Sequence, residues 1–116
     1  MLNVNPDAPI FLYTGAADMR KSFDGLMGLV EQAQMGDLFR GWFVFCNRRG
    51  DRLKILYFDR DGLAIWYKRL ERGRFQWPSP PRGAESMQIE PSDLRLILDG
   101  IDVRSARQRK RYKRAR

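Results

Sequence analysis

Three apolar runs in the middle of the chain are separated by short polar segments, and this pattern predicts β-strands. The runs span residues 41–46, 53–59 and 63–70, and each is rich in aromatic and branched residues. The segments between them, NRRGDR and DRDG, contain the Gly and Asp that tight turns favour. We therefore predict an antiparallel meander. A further turn, ERGR, predicts a fourth strand over RFQWP, which Pro78 ends.

Both faces of the central strands carry apolar side chains. In the run 53–59, Leu53, Ile55 and Tyr57 share one face, and Leu56 and Phe58 share the other. One face is therefore expected to meet helices, and the other to be at least partly covered. Outside the meander, IFLY is a candidate strand, and MQIE is a candidate edge strand or extended lead-in.

Two helices are predicted on either side of the meander. The first begins near Asp18 or Ser22, since either residue can cap a helix. Its apolar face comprises Phe23, Leu26, Met27, Leu29, Val30 and Ala33. The second begins at Pro91 and ends at Gly100. The predicted fold class is α+β: an antiparallel meander of three to five strands packed with two helices, followed by a disordered or extended basic C-terminal tail.

The basic charge is concentrated at the end of the chain. The net charge is +8, from 22 Lys and Arg against 14 Asp and Glu, and the last 13 residues hold eight of the bases and no acid. We predict one domain over residues 1–103 and a basic tail over 104–116 that cannot order itself alone. Such a tail is typical of polyanion binding. The tail residues predicted to bind nucleic acid are Arg104, Arg107, Arg109, Lys110, Arg111, Lys113, Arg114 and Arg116.

A second group of bases lies in the meander, interleaved with aromatic residues, and predicts a surface that can follow phosphates and stack on bases. The alternative is that the aromatics form sheet core and the cations form a solvated rim. The candidate nucleic-acid-binding residues here are Arg48, Arg49, Arg52, Lys54, Lys68, Arg69, Arg72 and Arg74. We expect Arg48, Arg49 and Arg52 to be exposed at a hairpin end, near Arg69, Arg72 or Arg74.

The tripeptide Arg49-Gly50-Asp51 also occurs in adhesion proteins, but here it lies between two predicted strands. A polar segment with one Gly at that place is the ordinary signature of a hairpin. Nothing else in the sequence indicates an extracellular protein. We interpret the tripeptide as a turn.

The sequence argues against catalysis. It has no histidine, which removes the commonest general base and the Cys/His zinc sites, and it has no phosphate-binding P-loop. The single cysteine, Cys46, is most simply a small hydrophobe in a strand. Asp59 and Asp61 have the spacing of some magnesium ligands, but DRDG is also a turn sequence, and the turn is favoured. We predict no enzyme activity, no cofactor and no metal.

The N-terminal residues do not resemble a signal peptide, and no apolar run approaches the roughly 18 residues of a membrane span. We therefore expect a cytoplasmic protein with no membrane partner.

Several motifs resemble a known family. YTGAADMRKSFDGLMGLVE, FVFCNRRGDRLKILYFDRDGLAIWYKRLERGRFQWP and LILDGID are similar to the small accessory protein, often called TnpB, of the bacterial insertion-sequence family sixty-six. The resemblance covers about residues 10–103. Ser22 departs from the family's usual glycine, and the basic tail matches none of its motifs.

The resemblance implies an accessory role in insertion-sequence transposition, beside a separately encoded transposase that performs the strand chemistry. Together with the basic residues, it leads to the prediction of a non-catalytic protein that binds DNA, at the ends of the element, and assists the transposase. The alternative is a protein–protein adaptor for the transposase, with only non-specific nucleic-acid adhesion through the tail. An enzyme using Asp59 and Asp61 on a metal is a third hypothesis.

Overall fold

The computed structural model describes residues 7–100, which form a five-stranded sheet and two helices. The α+β class is therefore confirmed. The elements in chain order are β1 (Ile10–Tyr13), α1 (Phe23–Gln32), β2 (Trp42–Cys46), β3 (Arg52–Asp59), β4 (Gly62–Arg69), β5 (Ser86–Ile89) and α2 (Pro91–Asp99). Neither helix in this part of the chain is long and apolar enough to cross a membrane.

The sheet order is β4-β3-β2-β1-β5. The pairs β2–β3 and β3–β4 are antiparallel, as predicted for the meander. The sheet as a whole is mixed, however, because β1 runs parallel to β2. Helix α1 lies between these strands in sequence, and such a long crossover allows two neighbouring strands to run in one direction. The candidate strand in MQIE is confirmed as β5, which pairs with the other side of β1 at the sheet edge.

The predicted strand over RFQWP is wrong. In the described chain no strand occurs between Arg69 and Ser86, and within RFQWP the N–H of Phe75 donates to Gly50 O in the β2–β3 turn at 2.8 Å. Phe75 packs into the core instead of extending the sheet. Three prolines over residues 78–81 favour this path, because proline cannot donate a ladder hydrogen bond. Strand β4 is therefore an edge strand.

Each face of the sheet is covered by a different helix. The expected covering of both faces is therefore confirmed, but the two helices do not share one face as predicted. On one face, Leu53 and Ile55 pack in a cluster with Leu94 and Ile97 of α2. On the other, Leu56 packs in a cluster that contains the buried α1 residues. Two-sided burial explains why all five residues of β2, including Cys46, are buried.

Helix α1 follows Ser22, one of its two predicted caps, although the Ser22 side chain makes no capping hydrogen bond. Leu26 and Val30 are buried as predicted, but Phe23 is 42% exposed and does not join the core face. Helix α2 begins at Pro91 as predicted. Gly100 ends this helix with a φ of 79°, a conformation that favours glycine.

Candidate nucleic-acid interface

The segment between β2 and β3 is a tight turn, as predicted for the Arg-Gly-Asp tripeptide. The Asn47 side chain organises it: its Oδ1 accepts from the backbone N–H of Asp51 at 3.1 Å and of Arg52 at 3.0 Å. Its Nδ2 donates to the Asp51 carboxylate at 2.7 Å, and this hydrogen bond holds the pKa of Asp51 below its usual value. Gly50 has a φ of 76°, which a side chain would strain. The turn is thereby fixed by its own sequence.

A second loop, residues 70–75, is attached to this turn. Leu70 N donates to Asp51 O at 2.7 Å, and Phe75 N donates to Gly50 O at 2.8 Å. The buried ring of Phe75 anchors the end of the loop in the core. The two loops therefore form one ordered surface at one end of the sheet.

Four exposed arginines converge on this surface. Arg48 and Arg49 lie in the turn, and Arg72 and Arg74 lie in the second loop. Arg49, Arg72 and Arg74 line one shallow pocket of about 210 Å³. We refer to these four residues as the arginine cluster. The predicted proximity of the hairpin arginines to Arg72 and Arg74 is confirmed.

Among residues 7–100, the arginine cluster makes no direct ion pair with a neighbouring acid. The ion pairs in this part of the chain are Arg20–Asp18, Arg40–Asp37 and Arg69–Glu71. None of these pairs includes an arginine of the cluster. The carboxylates of Asp51 and Glu71 line the same pocket as the arginines; that of Asp51 accepts from Asn47, and that of Glu71 accepts from Arg69. Four guanidinium groups beside these two carboxylates leave a net positive charge, which attracts anions.

Arg52, Lys68 and Arg69 lie at the margin of the cluster. Arg52 is directly opposite Arg69 in the β3–β4 ladder. It is half-buried, rather than exposed as predicted, and its Nη1 donates to the Tyr67 hydroxyl at 3.3 Å. Lys68 is exposed, and alternation along β4 places it on the opposite face from Arg69.

Lys54 does not belong to this surface, and its placement among surface bases is corrected. It is only 7% exposed, and its Nζ donates to the backbone carbonyls of Met19 at 2.9 Å and Lys21 at 2.8 Å. The ammonium also lies 4.7 Å from the centre of the Tyr67 ring. With its donors directed into the protein, Lys54 fastens the segment before α1 to the sheet. The motifs DMRK and RRGDRLK meet at this contact.

Two grooves flank the turn. One, of about 440 Å³, is lined by residues 17–20 and by Asn47, Arg48, Arg49, Asp51 and Arg52. The other, of about 410 Å³, contains Trp77 beside Arg49 and Arg74. Arg20, which the sequence reasoning did not include, lines the first groove. Its guanidinium is held by Asp18 at 2.7 Å and lowers the pKa of that carboxyl to about 2, so the pair is locally neutral at physiological pH.

Most of the aromatics interleaved with the bases belong to the core. Phe75 is buried, and Tyr57, Trp66 and Trp77 pack against the hydrophobic core on the face of the sheet that α2 covers. Tyr67 is 45% exposed. The structure therefore favours the sheet-core interpretation for most of these rings, and leaves Tyr67 and Trp77 at the margin of the basic surface.

Asp59 and Asp61 lie at the other end of β3 from the arginine cluster. Because a strand rises about 3.4 Å per residue, the eight residues of β3 separate the two ends by about 24 Å. Asp59 pairs with Gly62, and Asp61 N donates to Asp59 O at 2.6 Å, so the sequence DRDG forms a hairpin turn as favoured. Among residues 7–100, no group of three or more His, Cys, Asp or Glu side chains is placed to hold a metal ion.

The tail predictions lie outside the described residues. They concern Arg104, Arg107, Arg109, Lys110, Arg111, Lys113, Arg114 and Arg116.

Comparison with known proteins gives a consistent result. A family model described as IS66 Orf2 like protein matches residues 8–108. The uncharacterized protein y4hO of Sinorhizobium fredii (strain NBRC 101917 / NGR234) is 38% identical over 105 residues, which cover 90% of each chain. The uncharacterized protein y4jC of the same strain is 35% identical over 94 residues, which cover 80% of this chain and 79% of that protein. No solved structure matches.

Proposed function

This chain belongs to the IS66 Orf2-like family, and we propose that it is a non-catalytic accessory protein of insertion-sequence transposition that binds DNA and assists a separately encoded transposase in the cytoplasm. The observation that carries the proposal is the arginine cluster. Its two loops are joined by two backbone hydrogen bonds, and its four guanidinium groups have no ion-pair partner among residues 7–100.

The arginine cluster suits the phosphate backbone of DNA. A guanidinium group offers five N–H donors in a planar arrangement that matches two phosphate oxygens. Since the backbones of the two loops are already fixed by hydrogen bonds, the entropy lost on binding is mainly that of the exposed arginine side chains. Contacts of this kind fix the position of a protein on the duplex but carry no sequence information by themselves. The flanking grooves, with Arg52 and Trp77 on their walls, are the ordered places where base edges would be read.

The first test is the variant Arg49→Ala/Arg72→Ala, which removes one arginine from each loop. Each phosphate contact contributes about −0.9 to the slope of log affinity against log salt, so we expect the slope to become shallower by about 1.8. The measurement is a salt titration of binding to element-end DNA by fluorescence anisotropy. Circular dichroism should show an unchanged fold, because both side chains are exposed.

The matched control is Arg82→Ala/Arg95→Ala, which removes the same charge from exposed positions outside the two loops. We expect its slope to be nearly that of the unmodified protein. Equal losses in the two double variants would show that net charge, and not the arginine cluster, controls binding.

The adaptor function remains the second candidate, and an exposed aromatic side chain favours it. Phe39 is 68% exposed and packs edge-on against Phe58, with ring centres 5.0 Å apart. This pair lies near the DRDG turn, away from the arginine cluster. Co-purification of the transposase with the Arg49→Ala/Arg72→Ala variant, together with an unchanged DNA affinity, would favour the adaptor over the DNA-binding protein.

We also predict that the purified protein neither nicks nor joins DNA. The chain has no histidine, and Asp59 and Asp61 are placed by a hairpin turn. The measurement is incubation of supercoiled and linear element-end DNA with the protein in magnesium or manganese. Metal-dependent cleavage that Asp59→Asn or Asp61→Asn abolishes would overturn this prediction and support the enzyme hypothesis.

A further inference from the structure

The outer edge of β4 carries unpaired backbone groups. Strand β4 is the last strand of the sheet and pairs only with β3. Leu70 N donates to Asp51 O, and these residues continue the β3–β4 register by one position. In an antiparallel ladder, the backbone groups of successive residues point alternately to one neighbouring strand and to the other. The N–H and C=O groups of the even-numbered residues of β4 therefore point toward β3. The N–H and C=O groups of Leu63, Ile65, Tyr67 and Arg69 therefore point outward, and no described backbone group bonds to them.

The edge strand β4 is longer and more apolar than edge strands usually are. It has eight residues, and its centre is the sequence LAIWY. Natural sheets protect such edges with charges, prolines, bulges or covering segments, because an open edge is a template for another strand. Here the charged residues lie only at the ends: Lys68 and Arg69 at one, and Arg60 and Asp61, in the turn before β4, at the other. The centre is left able to pair.

We infer that β4 pairs antiparallel with β4 of a second copy of this chain, to form a continuous ten-stranded sheet. To form hydrogen bonds between two copies related by a two-fold axis, each odd-numbered residue of one β4 must lie opposite an odd-numbered residue of the other. Registers that place an odd-numbered residue opposite an even-numbered one are therefore excluded. The two with the greatest overlap either centre on Ile65 or place Ile65 opposite Tyr67. Charge decides between them.

In the Ile65-centred register, Arg69 of each copy lies opposite Asp61 of the other, which is the turn residue directly before β4. In the competing register, Asp61 lies opposite Glu71, which sets carboxylate against carboxylate. Opposite charges across a ladder stabilise a sheet, and like charges destabilise it. Arg69 already contacts Glu71 at 3.0 Å, but that pair is more than half exposed, and a guanidinium has enough donors for two carboxylates. The Ile65-centred register is therefore selected.

The register makes a covalent test possible. Directly opposed residues in a hydrogen-bonded pair have Cα atoms about 5.5 Å apart, within the usual disulfide range of about 4.4 to 6.8 Å. Full-length Ile65→Cys should thus form a disulfide-linked dimer when oxidised glutathione is added. In the matched variant Leu63→Cys, the two introduced cysteines would be about 14 Å apart along the strands and should not cross-link. Cys46 is buried, and the unmodified protein serves as its control.

A charge exchange tests the same pairing without altering the apolar residues. Asp61→Arg and Arg69→Asp, both at exposed positions, should each weaken dimerisation at least roughly tenfold, and the combined variant should restore it. Sedimentation equilibrium measures the mass relative to the 13.7 kDa chain. A monomer at all concentrations, equal cross-linking of the two cysteine variants, or no restoration in the combined variant would overturn the inference.

Discussion

Removal of residues 104–116 is expected to weaken binding to duplex DNA by roughly a thousandfold near 0.15 M salt, while the domain of residues 1–103 still folds. The removed segment holds eight of the 22 basic residues and no acid. If four to six of these charges engage phosphates together, the slope of log affinity against log salt becomes shallower by about 4 to 5. The measurement is a salt titration of both proteins on element-end and random DNA.

The two DNAs separate affinity from recognition. Contacts to phosphates read charge and not sequence, so the loss should be similar on both, and any preference for element ends should remain in the fragment of residues 1–103. A control protein with the order of residues 104–116 scrambled should bind like the unmodified one. If truncation leaves the slope unchanged, the tail does not hold the DNA. If it removes the preference together with the affinity, the tail itself reads sequence.

Lys54→Met should lower the free energy of unfolding by about 2 kcal/mol, roughly a thirtyfold change in the folding equilibrium, without changing the salt dependence of DNA binding. Methionine keeps most of the side-chain volume but leaves the carbonyls of Met19 and Lys21 without the Nζ donor. The contact with the Tyr67 ring is also lost. Urea denaturation measures the first effect, and a salt titration measures the second.

Lys68→Met is the matched control, because the same substitution is made at an exposed lysine on the neighbouring strand. Its stability should change by no more than about 0.5 kcal/mol, as is usual for surface positions. If Lys68 contacts a phosphate, the slope of log affinity against log salt for this variant should become shallower by about 0.9. The two variants should therefore show opposite patterns. A lower slope with unchanged stability in Lys54→Met would return Lys54 to the DNA-binding surface.

The fold was predictable where the signals are local. The meander of β2, β3 and β4 depends on turns of a few residues, and NRRGDR and DRDG contain the residues that such turns require. The parallel pairing of β1 with β2 depends instead on where a helix returns the chain, which no short window contains. The prediction of a strand over RFQWP was wrong because it considered only local pattern. Burial of Phe75 in the core stabilises the fold more than pairing of this short, proline-ended segment with β4 would.

The candidate site divides in the same way. Arg48 and Arg49 were predictable, because a turn exposes its central residues, and their exposure is observed. Lys54 was not, since its type indicates a surface and only its strand position, on the same face as Leu56, indicates the interior. The carbonyls that receive its ammonium come from residues more than 30 positions earlier in the chain. Arg20 could have been found from the DMRK motif, which brings it beside the turn.

The interior position of β1, between β2 and β5, has a consequence for the synthesis of the protein on the ribosome. One side of β1 pairs with β2. The other side pairs with β5, which is synthesised later and places Ile89 opposite Ile10 and Ser86 opposite Tyr13. Translation proceeds at about 5 to 20 residues per second, so β1 is made about 4 to 15 s before its second partner. During this interval its open edge, with Ile10 and Leu12 still uncovered by α2, is a template for another strand, so we expect it to be a point of misassembly between nascent chains.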